Sequence, residues 1–231
     1  MRCLVITGGS AGIGLSTAER FSEEGFTVIN LSRRPCPLDA VEHIPCDLSN
    51  PGFMAEIEPQ LNPFLEKADQ LVLVHNAARM NNDHVAETGS DAFRAVLEVN
   101  LVAPNSLNHH VLPYMQPGSS VIYVGSTLSE KAVPGSYSYV TTKHAMVGMM
   151  RATCQDLAGR DIHTACICPG FTDTDMLRQH LPEEAVEVAQ AMSAFNRLIH
   201  PEEIAETIFW AAGNPVINGA VLHANLGQVE S

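Results

Sequence analysis

Eight residues near the start of the chain, Thr7-Gly8-Gly9-Ser10-Ala11-Gly12-Ile13-Gly14, restrict its fold more than any others. They lie between an apolar run at 3–7 and a stretch of helical period that opens at Ile13. Each glycine has a physical reason. Gly8 permits a tight turn out of a strand, Gly12 lets backbone approach a pyrophosphate, and Gly14 lets a helix close on the strand before it. The free N–H groups and positive dipole end of that helix, with Ser10 and Ile13 in the same turn, then face phosphate oxygens. A strand, a glycine turn and a helix in this order predict a dinucleotide-binding unit.

The rest of the chain extends that unit. Short apolar runs fall at 3–7, 27–31, 71–75, 120–125, 164–168 and 220–223, with a shorter one near 43–46. Between them lie helix candidates at 13–24, 53–66, 90–115, 136–157 and 202–212. Such alternation predicts a parallel sheet with helices on both faces. The nearly continuous apolar character of the runs fits strands covered on both sides. Right-handed crossovers make this a doubly wound, Rossmann-type α/β sheet, whose ligand site lies at the carboxyl ends of the strands. No linker, repeat or low-complexity tract divides the 231 residues, so a single domain over 1–231 is expected.

A formal net charge of −13 argues against nucleic acid and anionic membrane as partners. The start of the chain does not read as a signal peptide, and no apolar run is long enough to span a bilayer, so a cytoplasmic protein is expected. The six cysteines form no CxxC pair and read as reduced core residues, Cys166 and Cys168 sharing one strand face. The ten histidines are scattered without ligand spacing, and no metal is expected.

The second apolar run ends in Asn30-Leu31-Ser32-Arg33-Arg34. A fold of this class selecting NAD places a carboxylate here for the ribose 2′-hydroxyl. Ser32 stands in its place, and Arg33 and Arg34 offer planar donors suited to a 2′-phosphate. The reading is NADP, with NAD as the alternative. On the competing reading the two arginines are solvated loop charges. Ala11 stands where NADP-preferring proteins often carry a second basic residue.

Further along come Asn100, ending Leu97-Glu98-Val99-Asn100; Ser126; Tyr139-Val140-Thr141-Thr142-Lys143; and Pro169-Gly170 after the sixth run. Ser126 lies thirteen residues before Tyr139. With the TGxxxGxG turn, this ordered set resembles the short-chain dehydrogenase/reductase family, from Thr7 to the C-terminus. The resemblance implies an NAD(P)-dependent oxidoreductase that moves a hydride between cofactor and a small carbonyl or alcohol substrate. It assigns Tyr139 as general acid–base, Ser126 as the group orienting the substrate oxygen, and Lys143 as holder of the nicotinamide ribose. Asn100 would position a water in a proton relay. The chemistry agrees: a free phenol titrates near ~10, and an ammonium one helical turn away favours the phenolate. Tyr137 competes for the role, but four residues on it has Thr141, not a cation.

By the same resemblance Asp47 and Leu48 flank the adenine, Asn76 steadies the sheet and Ala77 lies by the adenine ribose. Pro169, Gly170, Thr172 and Thr174 reach the nicotinamide or pyrophosphate. The chain departs from the family's NNAG motif twice, with His75 and Ala78. Residues 173–197 read as a helical substrate lid with apolar Met176, Leu177, Leu181, Met192 and Phe195, and loop 128–135 as a second wall. Ala145, Gly148, Met149 and Ala152 suit close helix contact, so a homodimer or homotetramer is expected. Met146, Met149 and Met150 read as helix packing. A nucleotide-binding regulator without turnover, or an epimerase or dehydratase without net cofactor consumption, stays open as another class.

Overall fold

The computed structural model describes residues 1–228, Glu183 without its side chain. Its parallel sheet has the strand order β3-β2-β1-β4-β5-β6-β7. The strands are β1 (Arg2–Thr7), β2 (Thr27–Ser32), β3 (Val41–Pro45), β4 (Gln70–His75), β5 (Ser120–Val124), β6 (His163–Pro169) and β7 (Ala220–Ala224). Period-two alternation sorts the strand side chains into two cores. Leu4, Ile6, Val72, Val74, Ile122 and Ile167 face one side, under α1 (Gly12–Glu23) and α8 (Pro201–Ala212). Cys3, Val5, Leu73, Val121, Tyr123 and Cys166 face the other. That side is covered by α2 (Phe53–Leu65), α4 (Ala103–Val111) and α5 (Tyr137–Asp156). Neighbour order reverses between β1 and β4, so their carboxyl ends open the crevice where ligands bind in such sheets.

The stretch 90–115 is not one helix. It divides into α3 (Ser90–Leu97), a π-helical turn (Glu98–Val102), α4 and a short 3-10 turn (Leu112–Tyr114). Pro104 explains part of the break, because it has no N–H to return to Asn100. The segment 173–197 holds two helices, α6 (Asp175–His180) and α7 (Glu183–Ala191). On α5, Met146 and Met150 are buried against the sheet and Met149 is half-buried, while Ala145, Gly148 and Ala152 are exposed along one outer stripe. Among the described residues, no helix is long and apolar enough to cross a membrane.

Candidate active site

The glycine turn is built as a cradle. Gly8 and Gly12 hold φ of 72° and 52°, the left-handed region that a side chain disfavours. A Cβ on Gly14 would lie 2.1 Å from the Gly8 carbonyl oxygen and 2.5 Å from Asn76 Nδ2, so only glycine fits there. No side chain caps α1, whose first turn stays open to an anion. The residues present therefore fit a dinucleotide pyrophosphate.

Two polar residues inside apolar strands hold this cradle in place. Thr7 Oγ1 accepts from the N–H groups of Asn76 and Ala77, each at 3.0 Å, and Asn76 Nδ2 returns bonds to the carbonyls of Thr7 and Gly8. Asn30 Oδ1 accepts from Gly9 N at 2.8 Å, and its Nδ2 donates to Ser32 Oγ at 2.9 Å. The motif reading gives neither the Thr7 nor the Asn30 side chain a role of its own, although a polar side chain amid strand hydrophobics is a signal of such work. Ser32 Oγ also donates to the Arg34 carbonyl at 2.6 Å, so its proton already shapes the 32–34 turn. Arg33 and Arg34 are exposed. Asp47 sits within reach of the Arg33 charge; its carboxyl is lowered first by bonds from Ser49 and to a smaller extent by Arg33. Leu48 is buried in the core beside it.

His75 is buried, and its Nε2 lies 2.8 Å from Asn108 Oδ1. Asn108 Nδ2 donates to the Tyr123 hydroxyl at 2.8 Å, and that hydroxyl lies 3.1 Å from Thr153 Oγ1. Thr153 donates to the Met149 carbonyl. The amide fixes the tautomer: Oδ1 faces the ring, so Nε2 carries the proton. Nδ1 has no partner among the described residues. Burial lowers this imidazole to about 4, opposed by the bond to Asn108.

The predicted catalytic residues converge at the carboxyl end of β5. Tyr139 and Lys143 lie on the inward face of α5, with relative exposures of 8% and 2%. Lys143 Nζ donates to the Val124 carbonyl at 2.6 Å and stands 5.4 Å from the centre of the Tyr139 ring. Ser126, just past β5, accepts from Leu128 N at 3.1 Å through its hydroxyl oxygen and opens a 3-10 turn (Thr127–Ser129). Tyr137 points elsewhere: it is 41% exposed and its ring stacks on Phe93. Asn100 is fully buried in the π turn. Its Oδ1 accepts from Arg79 N at 2.7 Å, and its Nδ2 donates to Arg79 O and to Thr142 Oγ1, each at 2.9 Å.

Behind Ser126 the sulfurs of Cys166 and Cys168 lie 3.9 Å apart. A Cβ on Gly125 would meet both, at 2.8 and 2.9 Å. Of this pair Cys168 is the thiol held toward its ionised form, first by the Cys166 thiol and then by bonds from Ser129 and Ser126 N, against the cost of burial. All six cysteines are free.

Past β6, Gly170 N bonds to the Ala224 carbonyl. Thr172 is buried, and Thr174 caps α6 through its hydroxyl. The Thr174 methyl lies 3.0 Å from where a Cβ on Gly12 would stand, so the start of α6 touches the glycine turn. At the far end of α6, His180 Nε2 reaches the Met80 carbonyl at 3.2 Å, which ties α6 to the loop after β4. Met176, Val188 and Phe195 are exposed, not packed on the body of the domain. Among the described residues no three His, Cys, Asp or Glu side chains form a metal cluster.

The family profile described as "Enoyl-(Acyl carrier protein) reductase" matches residues 8–228. The 3-oxoacyl-[acyl-carrier-protein] reductase FabG of Thermotoga maritima is 31% identical over 240 residues, covering 98% of this chain and 97% of the relative. The chain is a short-chain dehydrogenase/reductase. As a member of that family it is an NAD(P)-dependent oxidoreductase. A short chain dehydrogenase family protein of Francisella tularensis superposes with a TM-score of 0.88 at 24% identity, over 98% of both chains. The angucycline C-6 ketoreductase LanV, solved with bound NADP, gives 0.85 at 26% identity, over 97% of this chain and 95% of its own. This short-chain dehydrogenase/reductase keeps its family's sheet, with His75 as the last residue of β4.

Proposed function

We propose that the chain reduces a carbonyl, or oxidises the matching alcohol, with NADP(H), and that Tyr139 is its general acid–base. The observation that carries this is the buried Lys143 ammonium beside the Tyr139 ring. Its hydrogen bond goes to the Val124 carbonyl, a neutral acceptor and not a carboxylate. Burying an ammonium without a counter-ion is costly, and a site with chemistry to do is where that cost is tolerated.

When bound, the nicotinamide supplies or accepts the hydride. Tyr139 gives its phenolic proton to the carbonyl oxygen in reduction and removes it from the alcohol in oxidation. Ser126 Oγ already accepts from Leu128 N, which leaves its O–H to donate to the substrate oxygen. Lys143 has three N–H donors; Val124 takes one, and two remain for ribose hydroxyls and water. The Asn100 side chain is spent on Arg79 and Thr142. A water relay through Asn100 would therefore use its main-chain carbonyl.

Gly8, Ser10, Gly12, Ile13 and Gly14 would hold the pyrophosphate, Asp47, Leu48, Asn76 and Ala77 the adenosine, and Pro169, Gly170, Thr172 and Thr174 the nicotinamide side. Arg33 and Arg34 are free to meet a 2′-phosphate, which supports NADP; Ser32 shapes the turn that presents them. LanV, solved with NADP, is consistent with this choice. Exposed Met176 and Phe195 on the lid over 173–197 favour an apolar substrate portion. The exposed stripe of Ala145, Gly148 and Ala152 supports a homodimer or homotetramer, and the free cysteines fit a cytoplasmic setting.

The test is Tyr139→Phe with NADPH and an accepted ketone. Turnover should fall on the order of 10² or more, with NADPH affinity little changed. Tyr137→Phe should stay active. Near-normal Tyr139→Phe alongside a collapsed Tyr137→Phe would refute the assignment.

A further inference from the structure

Asp83 lies in the loop after β4, and nothing in the motif pattern points to it. The 20-residue helix α5, which carries Tyr139 and Lys143, starts without a cap of its own: the Ser136 side chain makes no capping bond. Its second residue, Ser138, donates its N–H to Asp83 Oδ1 at 3.0 Å. The backbone around Asp83 supports the same contact. Asp83 N donates to the Gly135 carbonyl at 3.0 Å, and Tyr137 N donates to the Asp83 carbonyl at 3.2 Å, on either side of a parallel bridge from Asp83 to Ser136. Gly135 holds φ of 77°, a turn suited to glycine. A side chain from a distant loop thus caps the catalytic helix, meeting one orphan donor and placing a carboxylate at its positive end.

The same loop is clamped at its other end. Asn100 bonds to both the N–H and the carbonyl of Arg79, and to Thr142, one residue before Lys143. Loop 79–83 is therefore fixed on α5 at two points, Thr142 and Ser138, with Tyr139 between them in sequence. Between the clamps, the Met80 carbonyl takes the lid contact from His180. Asp83 Oδ2 and Ser138 Oγ are both buried and have no hydrogen-bond partner among the described residues, so the bond from Ser138 N to Oδ1 is the side-chain link between the loop and α5 at this point.

We propose that Asp83 is a positioning residue: by capping α5 in trans it sets where Tyr139 stands relative to Ser126. The proposal rests on the reading of Tyr139 as the acid–base group. Misplacing a reacting group by about 1 Å can cost on the order of a hundred-fold in rate.

The experiment compares wild type, Asp83→Ala and Asp83→Asn by steady-state ketone reduction, NADPH titration and amide hydrogen exchange of the first turn of α5. Asparagine keeps a carbonyl oxygen for Ser138 N; alanine does not. Asp83→Ala should lose roughly ten-fold or more in kcat with NADPH Kd within about two-fold, and exchange at Ser138 should quicken. Asp83→Asn should recover most of the kcat and the slow exchange. Asp83→Ala with kcat within about two-fold of wild type, or with unchanged Ser138 exchange, overturns the proposal. So does an Asp83→Asn variant as impaired as Asp83→Ala. If Asp83→Ala does not fold, Asp83→Asn decides alone: slow Ser138 exchange with near-wild-type kcat supports the cap, and fast exchange or a lost kcat refutes it. A wild type that turns over no carbonyl defeats the functional reading instead; the exchange rates still decide the cap.

Discussion

Acid should weaken this protein through one imidazole. His75 is buried and lowered to about 4 from an ordinary 6.5, because the folded interior disfavours its charged form. Below pH 6.5 the unfolded chain binds a proton at this ring that the folded chain refuses. Stability then rises with pH across the window from about 4 to 6.5, is complete above it, and falls as acid is added. Each pH unit inside the window is worth about 1.4 kcal/mol, so full passage costs roughly 3 kcal/mol, and pH 5 costs roughly 2. That is a large share of a typical domain's margin. The assay is urea unfolding at neutral pH and at pH 5, at one protein concentration, for wild type and His75→Gln. Glutamine keeps an N–H for Asn108 and does not titrate. The double difference removes every other titrating group. Wild type should lose about 2 kcal/mol more than the variant on acidification. Equal losses would refute the reasoning.

Other expectations are local. Gly14→Ala must move backbone, since its Cβ would lie 2.1 Å from the Gly8 oxygen; it should cost roughly 1–3 kcal/mol or more in unfolding and abolish tight NADPH binding in a titration. Gly148→Ala meets nothing within 4 Å in the single chain and should gain roughly 0.5–1 kcal/mol if α5 is free; a loss, with a smaller mass in light scattering, marks it as a subunit contact. Arg33→Ala should raise the NADPH Kd roughly ten-fold and leave NADH nearly unchanged, and equal losses for both would assign Arg33 to the fold. Lys143→Met should lose turnover and cofactor affinity together, and loss of turnover alone would remove its part in holding the cofactor.

How much of this was legible in the chain depends on range. The glycine turn was readable because its reasons are local: Gly14 is excluded from every larger residue by Gly8, six positions away. The strands were readable because burial on both faces makes them almost wholly apolar. The YxxxK pair was readable because four residues on a helix share a face. Asn100 was legible only as a position. The periodicity of 90–115 hid the π turn that seats it, and its side-chain partners, Arg79 and Thr142, lie 21 and 42 residues away. Asp83 was not legible at all. A carboxylate in a polar loop reads as a solvated charge, and the bond that makes it a helix cap spans 55 residues. In the fold the Ser136 side chain makes no capping bond to α5, and the acceptor for the Ser138 N–H comes from Asp83 instead. Short spacings therefore reveal which groups act. The groups that hold them in place act across the sheet, and they emerge only when each orphan donor at the end of a catalytic helix is traced to its acceptor.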